Sequence, residues 1–431
     1  MKKLSIRKEY AKYVSLSVLG MLGLSCYILA DTFFIANRLG VSGLAALNLA
    51  IPVFSFLSGS GMMLGIGGAN RYSLLRGRGE KENAAFTHTI VMGVVVAAVF
   101  EIMGLFSTWV TALLGADEAT FDLCRIYLRT FLLFAPVFVL NQIVIAFVRN
   151  DGAPQLAMAA MLGGSFSNIL LDWILMYPLD MGILGAVLAT CMAPAISLGI
   201  LSPFFLRGKN QFHWIRGKLS GIMCRNIVID GIPSLVTEVS SGIVMLLFNT
   251  VLLRLCGNDG VAAYGVISNI SLVVLAMFNG IGQGIQPIVS RCHGRGEFSF
   301  TRQIMRYALL TVLLLSVSIY GLLFFGAAPI AGAFNSEDNT VMQALAVDGI
   351  RLYFTACPFA GVNIVLSAYL IASDRPHPAN AVSLMRGIAV ILPLTVLLSR
   401  CFGITGLWLA FPLTELTVAA VGVTQIGRKK V

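Results

Sequence analysis

Apolar residues along this chain come in long blocks separated by short polar stretches, near 12–37, 43–75, 88–114, 121–147, 155–178, 182–206, 226–255, 260–290, 304–333, 345–371, 379–400 and 404–426. An α-helix needs about 20 mostly apolar residues to cross a bilayer, and blocks of this length supply them. Twelve transmembrane helices are therefore predicted, and no polar stretch is long enough for a separate soluble domain. The fold class is an all-α polytopic membrane protein.

Composition agrees. Of 431 residues, 57% are apolar and 12% charged, and the mean hydropathy of +0.86 exceeds what a water-soluble core requires. The basic start, MKKLSIRKEYAK, resembles the head of a signal peptide. The apolar run behind it is too long for that and contains Asp31, so it is read as a retained first helix.

A net charge of +10 would suggest a nucleic-acid partner in a soluble domain. Here the basic residues sit in short loops between apolar blocks, where they set orientation, and no nucleic-acid footprint is present. Lys2, Lys3, Arg76, Arg78, Arg207, Lys209, Arg216, Lys218, Arg291, Arg295, Arg375, Arg428 and Lys429 fall on one side, and Asp117, Glu118, Glu337 and Asp338 on the other. By the positive-inside rule both termini are expected in the cytoplasm, in a multi-pass protein of the inner cell membrane. The eight cysteines are scattered singly without CxxC spacing and read as small apolar fillers.

The chain also repeats itself. RGRGE at Arg76–Glu80 returns as HGRGE at His293–Glu297, 217 positions on. In the same register Gly40 meets Gly257, Gly43 meets Gly260, and Gly65 and Gly67 meet Gly282 and Gly284. Further along, Pro136 and Asn141 meet Pro358 and Asn363, and Gly182 and Gly185 meet Gly403 and Gly406. Two six-helix lobes, 1–215 and 216–431, joined by a basic linker around 208–225, are the natural reading. Six is even, so both lobes enter the membrane the same way and a pseudo-twofold along the membrane normal should relate them.

A carboxylate inside a span is costly unless it has a partner or a function. Asp31, Glu101, Asp172, Glu238 and Glu415 are such carboxylates. Asn168 and Asp172 are four apart and share a helical face, and Thr190 follows in the next helix. If helices 1, 5 and 6 converge, Asp31, Asn168, Asp172 and Thr190 surround one point with oxygen, a shell that suits a hard cation and equally a proton. A lone intramembrane Asp or Asn can instead be a hydrogen-bonded strut, and for Glu101 and Glu415 that reading weighs as much as a functional one. The four histidines lie near the basic loops, which leaves proton work to carboxylates. No GxxxxGK[ST], HExxH or GxSxG occurs, so neither an ATP-driven pump nor a membrane-embedded enzyme is indicated.

In order and spacing, LADTFFIANRLGVSGLAALNLAIP, RGRGE/HGRGE, RNDGAPQLA, SNILLDWIL, GILGAVLAT and GIPSLVTE resemble the multidrug and toxic compound extrusion (MATE) family over nearly the whole chain. The resemblance implies a cation-coupled antiporter that exports organic, often cationic, compounds by alternating access. It implies no cofactor beyond the coupling ion, Na+ or H+, and a monomer whose partners are small organic substrates and the lipid bilayer. By the same resemblance Asp31, Asn168, Asp172 and Thr190 are the coupling-ion ligands, and Glu238 is a possible second acidic site. One departure is that repeat alignment sets Pro233 of helix 7 opposite Leu16, so the proline that many members carry early in helix 1 is missing. The alternative function is a flippase for a lipid-linked saccharide or similar amphiphile. That would need a basic cavity, and only Arg254 and Arg351 come near mid-span, both toward the outer surface.

Overall fold

The computed structural model describes residues 3–118, 120–335 and 339–427. Lys2, Glu337, Asp338, Arg428 and Lys429, used above to orient the chain, lie outside the described residues. Among those described, nine helices are long and apolar enough to cross a membrane, and the bent pair Phe121–Leu133 with Ala135–Asn150 makes a tenth. Two of the nine, Gly221–Gly294 and Pro376–Gly422, are double. Each is broken at a glycine, Gly257 and Gly403, much as Gly40 separates the first two spans.

The spans then number twelve among the described residues. They are α1 (Ile6–Gly40), α2 (Ser42–Arg78), α3 (Asn83–Leu105), α4 (the bent pair), α5 (Pro154–Met176), α6 (Gly182–Leu206), α7 (221–256), α8 (258–294), α9 (Phe298–Ala333), α10 (Thr340–Ala372), α11 (376–402) and α12 (404–427). Twelve crossings return residues 3 and 427 to one face, called here the terminal face.

The boundaries have local causes. α4 bends by 51° where the chain leaves helical geometry at Phe134, just ahead of Pro136, whose nitrogen cannot donate to the ladder. Its repeat partner Pro358 restarts α10 after a 3₁₀ turn at Phe354–Ala356. The apolar block 88–114, expected as one helix, ends at Leu105 and resumes as a short helix, Ser107–Leu113, because Phe106 takes φ −98° and ψ 28°. α1 contains no proline and runs unbroken to Gly40, and α7, which carries Pro233 at the position matching Leu16, likewise keeps helical geometry to Gly257.

The twofold shows in the backbone itself. Gly40 has φ 60° and ψ −149°, and Gly257 has φ 62° and ψ −148°. A β-carbon is poorly tolerated at this positive φ, so the same residue type occupies both sharp breaks. Gly182 and Gly403 repeat the relation at φ 56° and 57°.

Two apolar cores follow, one per lobe, with an exchange at the seam. The core of the second lobe, from Phe248 to Ala410, takes in Ile6, Tyr10, Tyr13 and Val14 of α1. The core of the first lobe takes in Ile227 of α7, with Met223 against it. Ile227 is the repeat counterpart of Tyr10.

The connecting segment 207–220 is extended and fastened to the first lobe. Backbone N–H groups of Gln211, His213, Ile215 and Ser220 donate to Asp151, Asn83, Thr87 and His88 at 2.7 to 3.0 Å. Phe212 is buried among Tyr72, Phe86, Phe147 and Phe205.

Candidate functional site

Helix register brings the first-lobe oxygens together. α1 and α5 both run away from the terminal face and pack together at Gly20 and Gly23, where a β-carbon on Gly20 would lie 2.9 Å from the Met161 sulfur. Eleven residues on from each, three turns at 3.6 residues per turn, stand Asp31 and Asp172. The two carboxylates are near enough to feel each other's charge. α6 runs antiparallel to α5, with Gly185 against Leu175 and Gly164 against Ala193, and that register sets Thr190 opposite Asn168.

Asp31, Asn168, Asp172 and Thr190 are all buried. With its amide nitrogen toward Asp172, Asn168 donates to Asp172 Oδ2 at 3.2 Å and accepts from the Thr190 backbone N–H at 3.2 Å. The Thr190 hydroxyl donates to the Ala186 carbonyl at 3.1 Å, which leaves its lone pairs available. One oxygen on each acid, Asp31 Oδ1 and Asp172 Oδ1, is buried without a hydrogen-bond partner. Such an orphaned oxygen carries an uncompensated desolvation cost, which a bound cation or proton removes.

Between the lobes lies a cavity of about 250 Å³. Of the four oxygen-bearing residues only Thr190 reaches its wall. Tyr27, one turn before Asp31, lines the cavity and lies within electrostatic reach of Asp31, Asp172 and Glu238. Glu238 does not join the four: it lines the cavity from α7, together with an annex of about 60 Å³ on the second-lobe side.

The lobes meet at the terminal face. Arg291 holds Glu9 at 2.5 Å, Arg71 holds Asp230 at 2.8 Å and Asp374 at 3.2 Å, and Arg78 holds Asp374 at 2.8 Å. Ser290 donates to Asn70 at 3.0 Å nearby. At the opposite face Arg38 pairs with Asp180, and Asn339 bonds Asp259, each within its own lobe. The cavity is thus closed toward the termini.

Three arginines lie inside the protein rather than in its basic loops. Arg71 lies inside α2, in the ion pairs just described. Arg386, on a π-helical turn at Met385–Ala389, is held by Glu415 through both guanidinium Nε and Nη2, and Asn363 donates to the same carboxylate at 2.7 Å. Glu415 is therefore a neutralised structural acid. Arg149, in the last turn of α4, is buried and faces the cavity. The expectation that only Arg254 and Arg351 approach mid-span is corrected accordingly: Arg386 lies within the apolar block 379–400, and Arg149, past the end of the block 121–147, is drawn inside because the end of α4 packs on α2 and α8, where Asn150 bonds the Ala69 carbonyl and Arg149 bonds Gln283.

Comparison with known proteins extends these findings. The family model MatE matches residues 17–174 and 233–397. Multidrug export protein MepA of Staphylococcus saprophyticus is 24% identical over 432 residues, covering 98% of this chain and 94% of its own. MepA of Staphylococcus aureus is 24% identical over 387 residues, covering 88% and 84%. Among solved structures, MATE in complex with MaL6 superposes with a TM-score of 0.92 at 21% identity, over 98% of this chain and 96% of its own. An outward-facing multidrug resistance MATE transporter superposes at 0.91 and 21% over the same shares. A MOP superfamily transporter from Pyrococcus furiosus, described as having a binding pocket of reverse polarity, gives 0.88 and 22% over 97% and 95%. This chain of twelve spans and two lobes belongs to the MatE family of multi-pass membrane transporters.

Proposed function

We propose that the protein is a secondary antiporter that exports organic, often cationic, compounds by alternating access while sodium ions or protons run inward. The observation that carries this reading is the pair of buried acids Asp31 and Asp172, each with an unpartnered oxygen, one layer behind the wall of a cavity between two lobes. Asn168 and Thr190 add neutral oxygens, and two acids with an amide and a hydroxyl are a donor set for one hard cation or for a shared proton. That the staphylococcal relatives are named for multidrug export supports the substrate class.

In this reading the lobes 1–215 and 216–431 rock about the seam of a monomer whose termini are cytoplasmic, and the closed terminal face makes the present state outward-facing. Tyr27 separates the ion's chamber from the substrate's, so an ion arriving at Asp31 reaches the cavity through the position of α1 and its tyrosine. Binding of one species then disfavours the other as a coupling free energy between sites. The membrane potential adds about 2.3 kcal/mol per inward charge per 100 mV.

The test is efflux of a fluorescent organic cation from proteoliposomes under an imposed sodium or pH gradient. Transport by one gradient, lost in Asp31→Asn, supports the reading and names the ion. A correctly inserted protein that moves nothing under either gradient, or an Asp31→Asn variant at the full rate, discards it. The flippase alternative for a lipid-linked saccharide is less favoured, because the main cavity offers a lone uncompensated guanidinium to the several charges of a phosphate-linked headgroup.

A further inference from the structure

The cavity's charged side chains, among the described residues, are Arg149 and Glu238. Arg149 comes from the last turn of α4 and has 4% of its surface exposed. One guanidinium nitrogen bonds the Gln283 side-chain oxygen of the facing lobe, and its Nε is buried without a partner. Three other arginines of low exposure each have a carboxylate: Arg71 has Asp230, Arg291 has Glu9 and Arg386 has Glu415. A buried guanidinium left with one neutral amide retains unmet donors, and a planar oxyanion meets them best.

Glu238 stands 17 residues into α7 and Gln283, the partner of Arg149, 11 residues from the end of α8. On α2, Gly59 lies against Glu238 while Asn150, next to Arg149, bonds the Ala69 carbonyl ten residues further along, so at 1.5 Å per residue the two backbones differ in depth by roughly 15 Å, part of which the long arginine side chain spans. Asn141, Gln142 and Asn279 line the cavity between them as neutral donors and acceptors.

We infer that Arg149 is a binding residue for an anionic group of the transported compound, and that the cavity takes zwitterions, with the carboxylate or similar oxyacid on Arg149 and the cationic end toward Glu238. This deepens the antiporter reading and rests on it in taking the central cavity as the substrate's. A single arginine against a single acid selects a compound with one group of each sign. A simple organic cation would leave Arg149 desolvated and unpaired, and so would bind less well.

The test compares rhodamine B, a zwitterion at neutral pH, with its ethyl ester, which keeps the cation and loses the carboxylate. Binding to the purified full chain is read by fluorescence polarisation in detergent without any gradient. The wild type is expected to prefer rhodamine B by about tenfold, the range of one charge-assisted contact. Arg149→Gln should bring the ratio near one without weakening the ester, whose cationic end no longer meets an unpaired guanidinium, and Arg149→Lys should retain part of the preference. Gln283→Glu, which supplies Arg149 with a carboxylate from within, should abolish the preference while leaving the guanidinium and its packing in place. Glu238→Gln should weaken both probes together.

An equal ratio in wild type and in Gln283→Glu, a parallel loss of both probes in Arg149→Gln, or no binding of either probe to the wild type would overturn the inference. Failure of gradient-driven efflux with the rhodamine preference intact would discard the coupling mechanism and leave this site standing.

Discussion

Gly77 and Gly294 stand back to back across the seam, and a β-carbon built on either would lie 3.0 Å from the α-carbon of the other. They are the same position of the repeat, one in RGRGE and one in HGRGE. The pseudo-twofold therefore passes close to this contact, and the two lobes touch backbone to backbone where α2 and α8 end. Gly294→Val should wedge the terminal face apart. Ser290→Cys, buried at this seam, should then react with a membrane-impermeant maleimide from that face about tenfold faster than in the unwedged protein. An unchanged labelling rate would mean that the seam yields elsewhere.

The ion pair Glu9–Arg291 ties α1 to α8 at 2.5 Å, with both side chains about one-fifth to one-quarter exposed. Arg291→Glu should loosen the closed face and lower efflux severalfold. The double exchange Glu9→Arg with Arg291→Glu should restore most of it, since a partly exposed pair acts mainly through its sign complementarity. Absence of any recovery would remove the pair from the closing contacts.

Glu415 and Arg386 are both nearly buried and joined at 2.7 Å. Removing one partner strands the other, at a cost of about 3–5 kcal/mol, whereas an apolar pair of similar volume can be neutral. Glu415→Ala should therefore lower the thermal midpoint in detergent sharply, and Arg386→Met with Glu415→Leu should recover it. If the double variant is as unstable as the single one, the pair has a role beyond mutual neutralisation.

Ligand linkage gives a direct reading of the first-lobe site. A bound ion stabilises the fold by RT ln(1 + [L]/Kd), about 2.7 kcal/mol at a hundred times Kd. Sodium chloride, but not choline chloride, should raise the midpoint if sodium is the ion, and Asp172→Asn should abolish the rise. No response to sodium in the wild type would leave the proton as the coupling ion.

Much of this architecture was legible in one dimension because the bilayer imposes simple rules. Apolar length gave the spans, and glycines at a fixed offset gave the twofold, since a β-carbon is excluded at Gly40 and at Gly257 for one geometric reason. The convergence of Asp31, Asn168, Asp172 and Thr190 was legible as well, because i, i+4 spacing and neighbouring helices bring such residues to one face. What could not be read was depth. Arg149 stands beside the polar run Asn150–Gly152 and counts as a loop residue by sequence, yet in the fold it lines the cavity between the lobes. Nor does any local signal show that Tyr27 and Thr190 line the cavity while Asp31 and Asp172 do not, because that depends on how the helices pack.

The exchange at the seam bears on how such a chain can be taken apart. The first turns of α1 complete the core of the second lobe, and the first turns of α7 sit in the core of the first. A cut near residue 216 would give two fragments, each with a hole in its interior and an apolar helix end that fits only its neighbour. Such fragments should form one stable particle when produced together and fail when produced apart. The same reciprocity is what two identical six-helix chains would show if each lent its opening helix to the other, so gene fusion could join such a swapped pair without redesigning its interface.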